Sequence, residues 1–326
     1  MKILLFHPVL LPPVDYGGVE RVVLWLAKGL TQLGHEVTIA ALEGSQLPRG
    51  VTLLPVSHRC KSDELLLKHL PNGTDVVHFM APPSPRTLSS LNCPSVLTVH
   101  GNGKMGEIFP LNTVFLSRDH ANRHGSQTFV YNGIDPTEYK FQHKKGRSFL
   151  FLSKTSWRVK NLTGTMALSQ KAGIPLLIAG GSRPYLARFR AMLNPNFKWM
   201  GSVSGLEKMN LLASARALLF PVLWPEPFGL VIAEAWMSGT PVIANPRGST
   251  REMVLPSVGY LPETEEQWMQ AIDTIGKISP EACRSHAETH FHYLKMAENY
   301  ESVYRKIIAG GKLNTQAPQS AGWELK

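Results

Sequence analysis

The stretch WPEPFGLVIAEAWMSGTPVIA, Trp224 to Ala244, carries a turn, a helix and a strand in that order. Pro227-Phe-Gly229 is a turn, Leu230 to Met237 follows as an apolar helix, Gly239 ends it, and Pro241 to Ala244 is a short buried strand. Immediately upstream, Ala217 to Phe220 is another apolar run of strand length. A strand, a helix and a second strand in so little chain imply a crossover, and therefore parallel pairing in an α/β sheet.

Working outward from this unit, the same alternation fills most of the chain. Toward the N-terminus, strands are expected at Ser148 to Leu152, Pro175 to Ala179 and Phe197 to Met200, with helices at Leu162 to Lys171, Pro184 to Met192 and Leu206 to Ala213. Ser204-Gly-Leu-Glu207 has the spacing of a capping box at the start of the last of these. An earlier set comprises strands at Lys2 to Phe6, Val37 to Ala41, Val51 to Pro55, Asp75 to Phe79, Ser95 to Val99 and Thr113 to Leu116. Its first helix, Gly18 to Leu33, has Val19, Val22, Val23, Leu26, Leu30 and Leu33 at helical spacing and stops at Gly34. The polar, basic segment Tyr139 to Arg147 separates the two sets, which places a domain boundary between residues 145 and 146. Two doubly wound domains are expected, 1–145 and 146–309, facing each other across a cleft lined by the carboxyl ends of their strands. The long helix His292 to Ile308 is expected to return toward the first domain, and 310–326 to form a loose tail.

Composition excludes several classes. The chain has 326 residues, 43% hydrophobic and 18% charged, which is ordinary for a globular protein with sizeable cores. No apolar run approaches the ~18 residues of a membrane span. The opening MKILLFHP loses its apolar character at His7 and Pro8, too soon for a signal-peptide core, so cytoplasmic residence is expected. Cys60, Cys93 and Cys283 are odd in number and far apart, as reduced thiols are. The net charge of +10 divides into +3 on residues 1–145 (14 basic against 11 acidic) and +7 on the remainder (20 against 13). The basic residues are scattered, and no nucleic-acid motif accompanies them, so no nucleic-acid partner is expected. An excess of that sign suits phosphorylated small molecules and permits peripheral contact with an anionic membrane, at the inner face for a cytoplasmic protein.

The chemistry concentrates in the opening stretch. The turn at Gly229 leaves free backbone N–H groups at a helix N-terminus, which receive phosphate or another anion. Glu226 precedes that turn and Glu234 follows it inside the helix, where a carboxylate can accept hydrogen bonds from a ribose diol. With Gly239 and Gly248 flanking them, the two carboxylates form the element E-x7-E.

In these residues the chain resembles the retaining glycosyltransferases of family 4, whose fold is GT-B. Further stretches in the family's order are GGVERVV from Gly17, LGHEVTI from Leu33, DVVHF from Asp75, TVHG ending at Gly101, YNGID from Tyr131 and LIAGG from Leu177. The resemblance implies a nucleotide-sugar donor, a saccharide, glycolipid or other hydroxyl acceptor, and an α/β architecture of two Rossmann-like domains. It assigns the donor diphosphate to Lys160, to Lys154 where the family usually has Arg, and to the backbone of Gly17 and Gly18. It assigns the donor-sugar hydroxyls to Glu226, the ribose to Glu234, and the sugar and phosphate to the amides of Phe228, Gly229 and Leu230. Gly248 and Glu252 match a second turn of the family, with Ser249 where a second Gly is more usual. Two ammonium groups stabilise the charge on a departing diphosphate without a metal. No metal is expected, because Asp-x-Asp, the ion-holding pair of the other common glycosyltransferase fold, does not occur among the six aspartates. His286 and His290 lack the H-E-x-x-H order of a zinc site. The nucleotide sugar is a substrate, and no cofactor is expected.

HGNGKMG, His100 to Gly106, spells the dinucleotide fingerprint G-x-G-x-x-G after a strand. That fingerprint requires a helix opening among its glycines, and only Glu107-Ile-Phe109 precede Pro110. A nicotinamide enzyme is therefore disfavoured. Under the resemblance, His100 ends a strand and contacts the donor sugar, and Gly101 to Gly106 form a flexible loop, an acceptor lid. The alternatives on the same scaffold are a sugar phosphorylase, a nucleotide-sugar epimerase and a non-catalytic nucleotide-sugar-binding subunit.

Overall fold

The computed structural model describes residues 1–13, 17–57, 63–181 and 194–323. The helix expected at Pro184 to Met192 and Cys60 lie outside them. The chain divides into two compact units, Met1–Ile134 with Tyr293–Trp323, and the segment from Asp135 to His292.

The first unit is built on β1 (Lys2–Phe6), β2 (Glu36–Leu42), β3 (Val51–Val56), β4 (Val76–Phe79), β5 (Ser95–Thr98) and β6 (Thr113–Val114). They form one parallel sheet in the order β3-β2-β1-β4-β5-β6. The central strands are buried on both faces, so they appear in sequence as unbroken apolar runs. Along the helix Gly18–Gln32, Val22, Val23, Trp25, Leu26 and Leu30 are buried. Its Gly29 lies so close to Ala297 and Tyr293 that a Cβ would meet them at 2.7 and 3.1 Å, which lets the helix Tyr293–Ile308 pack on it.

The second unit repeats the plan with β7 (Phe149–Leu152), β8 (Leu176–Ala179), β9 (Phe197–Gly201), β10 (Leu218–Phe220), β11 (Val242–Ala244) and β12 (Gly259–Tyr260), ordered β12-β11-β10-β7-β8-β9 and parallel throughout. In each sheet the order reverses between two adjacent strands, β1 and β4 in one, β7 and β10 in the other. The loops leaving the carboxyl ends of such a pair diverge to opposite sides and open a ligand crevice.

Three expectations are corrected. The chain passes from one unit to the next after Ile134, not at residue 145, because the polar segment is stitched to the second unit. Lys145 donates to the carbonyls of Ala213 (2.8 Å) and Ser238 (2.9 Å) and to the Thr240 hydroxyl (2.9 Å), and Gly146 N–H donates to Ser214 at 2.7 Å. Ser204 stands at the helix N-cap, but its side chain makes no capping bond. The complete capping box is Thr264 with Gln267. The tail is not loose over 310–323. Asn314 donates to the carbonyls of Leu111 and Thr113, Phe109 N–H donates to Pro318 and Gly106 N–H to Ser320, and Ile108 bridges Gln319 in antiparallel fashion. Among the described residues no helix is long and apolar enough to cross a membrane.

Candidate active site

In the second unit the loop leaving β7 and the loop leaving β10 start from adjacent strands, and this brings Lys160 to Glu226. Lys160 ends a short 3-10 turn, Arg158–Lys160, that rises from the β7 loop. Its ammonium donates to Glu226 Oε2 at 2.7 Å, and the residues are 7% and 6% exposed. Burial of both charges makes the pair strongly interdependent, since each is the other's counter-ion where water is excluded. Trp224 completes the cluster. Its indole Nε1–H donates to the same Oε2 at 2.6 Å, and its ring centre lies 4.7 Å from the Lys160 ammonium, with that of Phe220 at 5.3 Å. Both donors converge on Oε2, which leaves Oε1 as the oxygen able to take a substrate hydroxyl. The Glu226 backbone is clamped as well. It pairs in parallel with Gly248, and a Cβ on Gly248 would lie 2.4 Å from both Glu226 N and O, so this close approach requires glycine.

Glu234 does not join that cluster. It is 2% exposed, and its Oε1 accepts from Lys208 at 2.6 Å and from the Tyr139 hydroxyl at 2.7 Å. The two carboxylates of E-x7-E therefore have separate cationic partners. Gly229 is the N-cap of the helix Leu230–Met237 and supplies no capping side chain, while Phe228 is buried edge-on against Phe291 at 5.6 Å. Ser249, where a second glycine is usual, donates its hydroxyl to the Phe228 carbonyl at 2.9 Å and ties the two turns together. Lys154 is exposed, with its ammonium 4.9 Å above the Trp157 ring, which in turn meets Trp224 edge-on at 6.1 Å. His286 packs edge-on against Trp236 at 4.9 Å and lies 3.2 Å from the Met253 carbonyl, in a core role.

In the first unit Gly17 is the N-cap of the helix Gly18–Gln32, again with no capping side chain. A Cβ there would meet Pro13 at 2.4 Å. His100 follows β5, and its Nε2 is buried without a hydrogen-bond partner. Burial and the neighbouring His7 push its pKa down to about 3, so the ring is neutral. The loop beyond it departs from the expected flexible lid. The Gly101 carbonyl accepts from His120 Nε2 at 2.9 Å, the Asn102 carbonyl faces His124 Nε2 at 3.0 Å and accepts from the Ser320 hydroxyl at 2.7 Å, and Arg123 donates to the Asn102 side chain at 3.0 Å. Two imidazoles, one guanidinium and the C-terminal segment hold it in place.

Sequence reasoning missed Trp224, Lys208 and Tyr139 as partners of the two glutamates. Trp224 lay two residues from Glu226 with a donor-bearing ring, a usable signal. Lys208 and Tyr139 come from distant segments, and nothing local marks them.

The matches to known proteins follow the same two units. The family model for glycosyltransferase family 4 matches residues 16–125, and that for glycosyl transferases group 1 matches residues 147–277. The chain belongs to glycosyltransferase family 4. A curated relative of this family 4 glycosyltransferase is a phosphatidyl-myo-inositol mannosyltransferase from Mycolicibacterium smegmatis, 25% identical over 288 residues, 73% of this chain and 75% of the relative. An uncharacterized glycosyltransferase of Methanocaldococcus jannaschii is 28% identical over 147 residues, 38% of this chain and 37% of its own. Among solved structures, AviGT4, a glycosyltransferase involved in Avilamycin A biosynthesis, aligns with a TM-score of 0.80 at 24% identity, covering 96% of this chain and 99% of its own. Anabaena HepE, solved in complex with UDP and glucose, aligns with a TM-score of 0.68 at 15% identity, covering 94% and 99%. The likenesses establish the GT-B fold of two Rossmann-like domains for this family 4 glycosyltransferase.

Proposed function

We propose that this glycosyltransferase moves a sugar from a nucleotide-sugar donor to a hydroxyl of a saccharide or glycolipid, with retention at the anomeric carbon and without a metal. The observation that carries this reading is the buried Lys160–Glu226–Trp224 cluster at the crevice of the second sheet. Lys160 and Lys154 supply positive charge to the leaving diphosphate, and the open helix starts at Gly17–Gly18 and at Phe228–Leu230 add backbone N–H groups. Glu226 Oε1 accepts from a donor-sugar hydroxyl, Glu234 serves the ribose, and His100 contacts the sugar.

The reaction proposed is front-face displacement. The bond from the anomeric carbon to the phosphate oxygen breaks, and that oxygen keeps the electron pair. The acceptor hydroxyl oxygen then bonds to the same face of the carbon, and its proton passes to the departing phosphate oxygen. No protein base is required. A glycolipid acceptor and a mannosyl donor head the candidates because of the mannosyltransferase relative, and the net charge of +10 suits an anionic membrane surface.

A panel of UDP, GDP, ADP and their sugars tests the donor class by thermal shift. One nucleotide is expected to stabilise the protein by about 2.7 kcal/mol at a hundred times its Kd. The shift and the turnover of the matching sugar should both survive EDTA. No shift with any nucleotide, or turnover abolished by EDTA and restored by Mn²⁺, would contradict the proposal.

A further inference from the structure

The first unit holds a polar feature of which the family roles use only one half, His100. His7 leaves the carboxyl end of β1, as His100 leaves that of β5, with β4 between the two strands. The Nε2 atoms of both rings are buried and have no hydrogen-bond partner. Neighbouring histidines of this unit differ. His78 on β4 bonds the Tyr304 hydroxyl and the Thr98 hydroxyl, both at 2.7 Å, both ring nitrogens of His120 have partners, and those of His124 face two carbonyl oxygens, to one of which its ring N–H donates. His35 Nε2 also lacks a hydrogen-bond partner, but it lies 3.5 Å from the Glu301 carboxylate, an ion-pair neighbour that neither His7 nor His100 has among the described residues.

A buried polar atom without a partner is costly, and at the carboxyl end of a doubly wound sheet, where ligands bind, a ligand can supply the missing partner. The backbone fixes both positions. His7 N–H donates to Ala40 at 3.0 Å and Val9 N–H to His7 at 2.7 Å, while Val99 N–H donates to Val114 at 3.1 Å and the Gly101 carbonyl is held by His120.

We propose that His7 is a substrate-binding residue that shares with His100 the recognition of a neutral sugar hydroxyl. This rests on the transferase reading above. The ligand class follows from charge. Burial lowers the pKa of His7 to about 4 and, with His7 nearby opposing a second charge, that of His100 to about 3. Two neutral imidazoles offer one donor and one acceptor each, which suits a hydroxyl; phosphate oxygens only accept and would leave the acceptor nitrogens unserved. The hydroxyl belongs either to the transferred sugar or to a saccharide acceptor.

The test is His7→Leu, beside His7→Gln, which restores a polar group. A purely structural histidine would lower the melting temperature when replaced. Here His7→Leu removes a buried unsatisfied nitrogen, so Tm is expected to hold or rise by about 1–3 °C while kcat/KM falls at least about ten-fold. His7→Gln should recover part of that activity. Ring ¹⁵N signals of His7 and His100 give a readout independent of turnover. UDP-glucose or GDP-mannose should move them if the hydroxyl is the donor's, and methyl glucoside or methyl mannoside if it is the acceptor's; UDP and GDP alone should not. Unchanged activity in His7→Leu, a lowered Tm, or ring signals that no sugar moves would overturn the proposal. If the sugars move the signals but the parent transfers nothing, the pair stands and the transferase reading fails.

Discussion

Replacing Lys160 with methionine is expected to lower kcat by about 10²- to 10³-fold, the usual effect of removing one group that stabilises developing negative charge in a water-poor site. The same change should destabilise the second unit. It strands the Glu226 carboxylate at 6% exposure with Trp224 as its one remaining side-chain donor among the described residues. Removing one partner of a buried ion pair typically costs about 3–5 kcal/mol. The two effects separate in the double variant Lys160→Met/Glu226→Gln. There the orphaned charge is gone, and the Trp224 indole still has an amide oxygen to donate to, so most of the stability should return. Activity should not. Urea unfolding and initial rates of nucleotide release measure the two quantities. Full activity in Lys160→Met would remove Lys160 from the reaction, and equal stability of both variants would show that the pair contributes little to the fold.

Ending the chain at Gly311 is the second large perturbation. Bonds lost include those from Asn314 to Leu111 and Thr113, from Phe109 to Pro318, between Ser320 and both Gly106 and Glu107, from Gln319 to His124, and from the Ser320 hydroxyl to Asn102. Net contributions of such bonds are about 1 kcal/mol each, and for a unit of this size each kcal/mol corresponds to about 2–4 °C. A fall of about 10 °C or more in the melting temperature of the first unit is therefore expected. Release of Asn102 also loosens the loop that fixes His100, so transfer should fall more than nucleotide binding. A truncated chain with parental Tm and turnover would mean that the segment is an ornament of the surface.

The tail shows why composition misleads here. Gly310 to Lys326 is polar and glycine-bearing, and such segments are usually loose. Its attachments run largely to backbone groups of the loop Asn102–Phe109, which no side-chain pattern announces. The same physics displaced the domain boundary. The segment Tyr139 to Arg147 is basic, yet Tyr139 and Lys145 spend their polar groups inside the second unit. By contrast, the strands were legible because parallel strands covered on both faces need continuous apolar runs, and no alternation of apolar with polar residues is required of them. β12 escaped because Gly259–Tyr260 is two residues long. Ser204 had the right spacing for a capping box and lacked the bond, while Thr264-Glu-Glu-Gln267 had both. At the site, the E-x7-E element was visible in sequence. The separate neutralisation of its two glutamates was not, because Lys160 and Lys208 reach them from segments 66 and 26 residues away.

The central claim is transfer from a nucleotide sugar with retention, and anomeric ¹H NMR of the product tests it most directly. The donor that stabilises the protein is incubated with acceptor saccharides and glycolipids, and the anomeric coupling of the new glycoside is recorded at early times. An α-linked donor is expected to give an α-glycoside, with nucleoside diphosphate released in equal amount. A β-glycoside from that donor, or glycoside formed without nucleoside diphosphate, would contradict the account.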